Sequence, residues 1–433
     1  MQRIRNAAQL HKPPSVNRRS LRTLTLEGVP ALMVGNLLGG PFLTGYMLYL
    51  GATSEQVGIA LAIPAFANLI QLFIAFYMHR FPNRKLALVL LGGSHRILWA
   101  LTGFIPFLMP KELWVGTFIG MFLLSFVMAS ASGVFWTSLV ADIVPAKVRG
   151  RYFGIRNTIH GAVAALAVLV GGQILDRWPE ETGFMILYAI ALICTVVNIY
   201  YLACYPNPTM AEASESKSYK LLLKPFKDRT FFKASLFLAL WILLQNAVVP
   251  LFSYMMLDVH GISIQWVSII TTMQMLVMMA SYYIWGNLNA RYRTRTLLFW
   301  TLPMIGLSCL LWGAGSLLPI LPVLVAIHIL LGFGTGGFNQ LVFNLIIEDA
   351  PRADVPIYIA VYSGLTGITG FLGPLIGGML FKGARTWPNW IEAYGIAAVV
   401  GGIMLGIVVM IGRKILLEPK IKWLKGSGNS VSM

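Results

Sequence analysis

Residues 41–44 read Pro41-Phe42-Leu43-Thr44, and residues 250–253 read Pro250-Leu251-Phe252-Ser253. Further along each copy, Ser54-Glu55-Gln56 answers to Ser263-Ile264-Gln265, and Ser in that place suits a helix N-cap. Asp142-x-x-Pro145 answers to Glu348-x-x-Pro351, and Gly171-Gly172 to Gly377-Gly378. Short matches are weak singly, but these recur at a nearly constant offset. The chain is a duplication.

The repeated unit is apolar. Of 433 residues, 57% are hydrophobic and 11% charged, where a soluble protein carries about 25% charged residues. Mean hydropathy is +0.73. Such a chain requires a lipid bilayer, which a helix crosses in about 20 apolar residues. Spans are expected near 26–50, 56–78, 86–108, 113–140, 155–175, 184–205, 234–257, 264–286, 297–318, 320–347, 357–381 and 391–412. The expected fold is an all-α membrane protein: 12 transmembrane helices arranged as two six-helix bundles in pseudo-twofold repeat. Its parts are a basic tail (1–25), a first bundle (26–205), a polar linker (206–233), a second bundle (234–412) and a tail (413–433).

The net charge of +17 could suggest nucleic acid, but its distribution answers otherwise. If the N-terminus is cytoplasmic, 28 of the 33 Lys and Arg lie on the cytoplasmic side. Only Lys111, Arg177, Lys382 and Arg385 lie outside, and Arg96 falls within the third span. Acidic residues divide almost evenly. That asymmetry orients membrane proteins, so both termini are expected in the cytoplasm of a cell-membrane protein that binds no nucleic acid. The Arg-rich, acid-poor beginning would also suit a mitochondrial presequence, but orientation already accounts for it. The first span is too long for a cleaved secretory signal.

Cys194, Cys204 and Cys309 have neither disulfide-framework nor metal-ligand spacing. The chain has no Gly-x-x-x-x-Gly-Lys-Ser/Thr phosphate loop, no metal-spaced His pair and no Gly-x-Ser-x-Gly elbow. No catalytic residue, cofactor or metal is therefore expected.

Six spans plus six in parallel repeat, with a long linker between, resembles the major facilitator superfamily of secondary transporters over about residues 25–413. The loop signature of that family, Gly-x-x-x-Asp-Arg-x-Gly-Arg-Arg/Lys-Arg/Lys, corresponds here to Ala75-x-x-x-His79-Arg80-Phe81-Pro82-Asn83-Arg84-Lys85. A second copy reads Gly286-x-x-x-Ala290-Arg291-Tyr292-Arg293-Thr294-Arg295. The basic residues remain, while His79 and Ala290 replace the acid. The resemblance implies gating by Arg80, Arg84 and Arg291, with Asp142 pairing Arg149 or Arg151 across the cytoplasmic mouth. Gly370-x-x-Gly373-Pro374-x-x-Gly377-Gly378 in span eleven is similar to an antiporter pattern, although close helix packing explains it more simply.

Transporters built from two repeats bind substrate near the midplane. The family's cavity-lining helices carry Asn36, Gln245, Asn246, Asn339 and Gln340, amides that both donate and accept. Bonds between helices are the simpler role for any one of them. Arg96 either receives an anionic substrate group or pairs structurally, with Glu27 at the edge of span one as a partner poorly matched in depth. His328 is the candidate for proton coupling, which stays open beside facilitated diffusion. The reading is a secondary active or facilitative transporter, a monomer in the bilayer, moving a small organic solute by alternating access. The alternative is a transporter-like sensor signalling through its linker or tail.

Overall fold

The computed structural model describes residues 18–77, 83–144, 146–178, 180–207, 223–350 and 355–417. Helices dominate, and no strand occurs among the described residues. Ten helices from Arg84–Leu108 to Ile391–Leu417 are each long and apolar enough to cross a membrane. The bent pair Arg18–Leu37 and Gly40–Tyr49 forms span one, and Ser54–Tyr77 forms span two, completing twelve. This is a multi-pass integral membrane protein. In hydrocarbon every backbone N–H and C=O must be satisfied within the chain, and the helix does this segment by segment. Large apolar side chains such as Leu166, Val196 and Leu236 stand exposed on the outside of the bundle, where lipid suits them.

The duplicated prolines have a structural consequence in both copies. Span one bends by 42° between its two helices, where Gly40 takes φ +55° and Pro41 lies in the first turn of the outer helix. A proline cannot donate to the preceding turn, and glycine tolerates the left-handed backbone. In span seven, Pro250 sits in a 3-10 turn, Val249–Leu251, between Arg229–Val248 and Phe252–Tyr254. The expected Ser caps are only partly found. Ser263 precedes span eight without a side-chain cap bond. At span two the cap is Thr53, whose Oγ1 accepts from Gln56 N while Gln56 Oε1 accepts from Thr53 N, a reciprocal capping box.

The same helix pairs pack in each half. Span one meets five and six, two meets four, and three meets four and six; seven meets eleven and twelve, eight meets ten, and nine meets ten and twelve. The halves join through spans two with eleven and five with eight. Small residues let these backbones approach closely. A Cβ on Gly58 would lie 2.4 Å from the Pro374 carbonyl oxygen, and one on Gly172 would lie 2.5 Å from Ser268. Those glycines of the repeat, and Gly377 and Gly378 of span eleven, therefore serve packing.

The end of the bundle bearing Arg84, Arg291 and Lys224 is called the basic end below. At the opposite end, Glu55 of span two pairs with Lys382 of span eleven, bridging the halves. Gln265 donates to Gln173 across the second contact, at 3.3 Å. The outer part of span one also packs on Phe252–Tyr254. Arg385 ties spans seven, eleven and twelve there, donating to Tyr254 (3.0 Å) and Asp258 (2.9 Å) beside Glu392.

Candidate functional site

Several helices begin earlier than hydropathy places them, because charged first turns extend beyond the apolar run. Span one is already helical at Arg18, well before residue 26, which sets Glu27 nine residues, or about 13 Å, beyond that point. Arg96 lies twelve residues into the helix that starts at Arg84, about 18 Å from the same end. The expected mismatch in depth is thereby corrected. Arg96 Nη2 lies 3.8 Å from Glu27 Oε1.

Glu27 is buried, at 3% exposure. Asn198 of span six donates to its Oε1, and Tyr205 donates to its Oε2, each at 2.9 Å. Arg96 also donates to the Gly92 carbonyl at 3.1 Å. The pair is thus loose, while each partner is otherwise held. That matches how buried charges persist, through hydrogen bonds as well as a counter-charge.

Both residues line a cleft of about 350 Å³ between spans one and four, backed by spans three and six. Span five closes one side with Arg156 and His160, one helical turn apart. The Arg156 guanidinium lies 5.4 Å from the centre of the Trp136 ring, and its buried Nε has no hydrogen-bond partner. His160 Nε2 contacts the Thr25 carbonyl at 3.1 Å. Gly28 admits that ring, since a Cβ there would lie 2.1 Å from His160 Cε1. His95 also borders the cleft, with Nδ1 held by Ser125. Below it, Leu24, Phe135, Leu139 and Val144 form an apolar cluster toward the basic end.

Of the residues singled out as substrate or coupling candidates, only Arg96 borders this cleft, together with Glu27, its expected partner. Arg156, one of the 28 Lys and Arg assigned to the cytoplasmic side, was not singled out from sequence, nor were His95, Asn198 and Tyr205. The spacing of Arg156 and His160 on one helical face was the available signal. The amides scatter. Asn36 donates to Leu32 in its own helix, at 2.8 Å. Gln245 accepts from the buried Trp241 at 3.1 Å. Asn246 packs on span eleven, 2.6 Å from where a Gly373 Cβ would be. Gln340 faces Gly286 of span eight, and its buried Oε1 has no partner. Asn339 lines a second cavity of about 270 Å³ with Ile242, Tyr362 and Ser363. His328 is buried in the second half, with Nδ1 2.8 Å from the Leu324 carbonyl.

At the basic end, Arg84 donates to Asp142 at 2.7 Å and to Ser138 at 2.6 Å. The second half repeats the device: Arg295 pairs with Asp349. Repeat matching aligned Asp142 with Glu348, but Glu348 instead accepts from Thr294. Arg80 lies outside the described residues, as do the side chains of Arg149 and Arg151. Arg291 is exposed at the end of span eight.

The Major Facilitator Superfamily model matches residues 31–263 and 242–428. The chain belongs to the major facilitator superfamily. Its fold is similar to a point mutant of the nucleoside transporter NupG, with TM-score 0.72 and 15% identity over 89% of this chain and 98% of that one. A D-xylose–proton symporter is similar at TM-score 0.70 and 13% identity, covering 91% and 97%. Among curated proteins, the vacuolar membrane amino acid uptake transporter fnx2 of Schizosaccharomyces pombe is 39% identical over 64 residues. That stretch is 14% of this chain and 11% of the relative's length.

Within the superfamily fold the protein is a membrane transporter, and the cleft sits beside the contact between its halves. Span five, which carries Arg156 and His160, packs on span eight.

Proposed function

We propose that this transporter moves a small organic solute by alternating access, residues 26–205 and 234–412 rocking as two bodies. The observation that carries the reading is the interface. Spans two with eleven and five with eight meet through small residues, and polar bridges cluster at one end, Glu55 with Lys382 and Gln173 with Gln265. Such a contact opens at one end as it closes at the other, and the substrate shifts the balance by binding the two states unequally. The Lys and Arg distribution supports a cytoplasmic basic end with both termini inside; residence in the cell membrane and the monomeric state belong to the same proposal.

The Arg84–Asp142 and Arg295–Asp349 pairs then serve as struts that keep each half rigid at the cytoplasmic mouth. The proposal covers proton-coupled and facilitated movement alike. Glu27, held within the charged cleft, is a better placed acid than the edge position read from hydropathy, and His328 is enclosed by apolar packing. Flux of labelled solutes into liposomes containing the purified protein tests the reading. Saturable uptake, absent from empty liposomes, is expected. Ligand binding with no flux of any bound solute would contradict it.

A further inference from the structure

Charge inside the cleft does not balance. Two guanidinium groups, Arg96 and Arg156, border it with one carboxylate, Glu27. Counting its Arg and Glu side chains, the net formal charge is that of one cation. Burying an uncompensated charge at membrane depth is costly, so the surplus points to a missing anion. Arg156 supports this independently: its Nε is buried without a hydrogen-bond partner, and its side chain lines the cleft. Arg96 meets Glu27 only at 3.8 Å, donates through Nη1 to the Gly92 carbonyl, and lines the cleft. A guanidinium receives a carboxylate through two parallel N–H bonds.

The rest of the lining sets the body of the ligand. Leu32, Leu88 and Leu202 contribute apolar surface, and Trp136 lies beneath Arg156. The volume of about 350 Å³ suits a small molecule, near the lower end of ordinary ligand pockets. We propose that the cleft binds a small organic monocarboxylate, its carboxylate between Arg96 and Arg156 and its apolar body against Trp136 and the leucines. A dianion would overfill the charge, and a neutral amide would leave it uncompensated. The proposal deepens the transport reading and rests on it for the ligand's role as cargo.

The test uses the full chain in phosphatidylcholine nanodiscs, with radiolabelled benzoate as probe and benzamide and phenyl phosphate as competitors. Benzoate is expected to bind saturably, benzamide not to compete, and phenyl phosphate to compete less well than unlabelled benzoate. Arg156→Gln should weaken binding about tenfold or more, as loss of a charge-assisted bidentate contact does. Glu27→Gln should strengthen it, because the carboxylate no longer competes for Arg96. That gain of binding cannot come from a damaged fold. Added phosphatidylglycerol should leave benzoate binding unchanged, as expected if a free solute and not a lipid headgroup is the occupant.

No benzoate binding, equal competition by benzamide, stronger competition by phenyl phosphate, or displacement by phosphatidylglycerol would each overturn the proposal. So would weakened binding in Glu27→Gln. Uptake into liposomes is measured alongside. Benzoate binding without flux leaves the anion site standing and contradicts the transport reading. Flux of another solute that is insensitive to Arg156→Gln, without benzoate binding, does the reverse.

Discussion

Glu27 and Arg96 face one another at 3.8 Å across a cleft in the first half, although hydropathy places one at the membrane edge and the other at its middle. The helix of span one reconciles them by being formed already at Arg18. This pair organises spans one, three and six, since Glu27 also accepts from Asn198 and Tyr205.

Removing the cation should destabilise the fold. Arg96→Ala leaves the Glu27 carboxylate buried with two neutral donors, at an expected cost of about 1–3 kcal/mol. Tyr205→Phe removes one donor and should cost about 1 kcal/mol. Thermal unfolding in detergent measures both, and an Arg96→Ala protein as stable as wild type would contradict the pairing.

Glu55 and Lys382 bridge the halves at an exposed position, so their pairing should contribute only about 0–1 kcal/mol. Glu55→Lys alone should therefore speed exchange between states modestly. The charge-swapped double variant, Glu55→Lys with Lys382→Glu, should restore the original rate. Failure of the swap to restore it, measured by solvent accessibility of the interface, would show that the bridge does not hold the halves.

Gly58 lies against the backbone of span eleven, with the Pro374 carbonyl oxygen 2.4 Å from any added Cβ. That neighbour is backbone and cannot swing aside. Gly58→Leu should wedge spans two and eleven apart at the end bearing Glu55, and thiol labelling of a cysteine placed at Ser54 should rise. Unchanged labelling would place the contact elsewhere.

The fold was legible because its causes are local and repeated. Apolar run length set the spans, and the recurrence of Pro41 as Pro250 marked the duplication. The cleft was hidden because it depends on where helices begin, and the charged first turns of spans one and five carry no hydropathy signal. Glu27 was read as an edge residue, and Arg156 as one of the cytoplasmic Lys and Arg, on that account. The amides misled in the opposite way. Asn36 and Gln245 satisfy neighbours within their own helices, a bond that mid-span position does not reveal. His328 likewise stays among apolar packing, bonded to its own helix.

The matched pairs Arg84–Asp142 and Arg295–Asp349 predict matched phenotypes. Asp142→Asn and Asp349→Asn should each reduce flux without changing ligand affinity, since neither residue borders the cleft. A change in affinity with flux per bound ligand preserved would contradict the assignment to the mouth.

Spin-label distances test the rocking of the halves most directly, because they need no knowledge of the substrate. One pair joins native Cys204, exposed at the basic end of the first half, to a label at Tyr292→Cys in the second. The other, in a background lacking Cys204, joins Glu112→Cys to Leu317→Cys at the opposite end; Cys194 and Cys309 are buried in both backgrounds. Double electron–electron resonance in nanodiscs should show two distances for each pair, the basic-end pair lengthening as the opposite pair shortens. A single unchanged distance for both pairs, with and without ligand, would contradict alternating access in this protein.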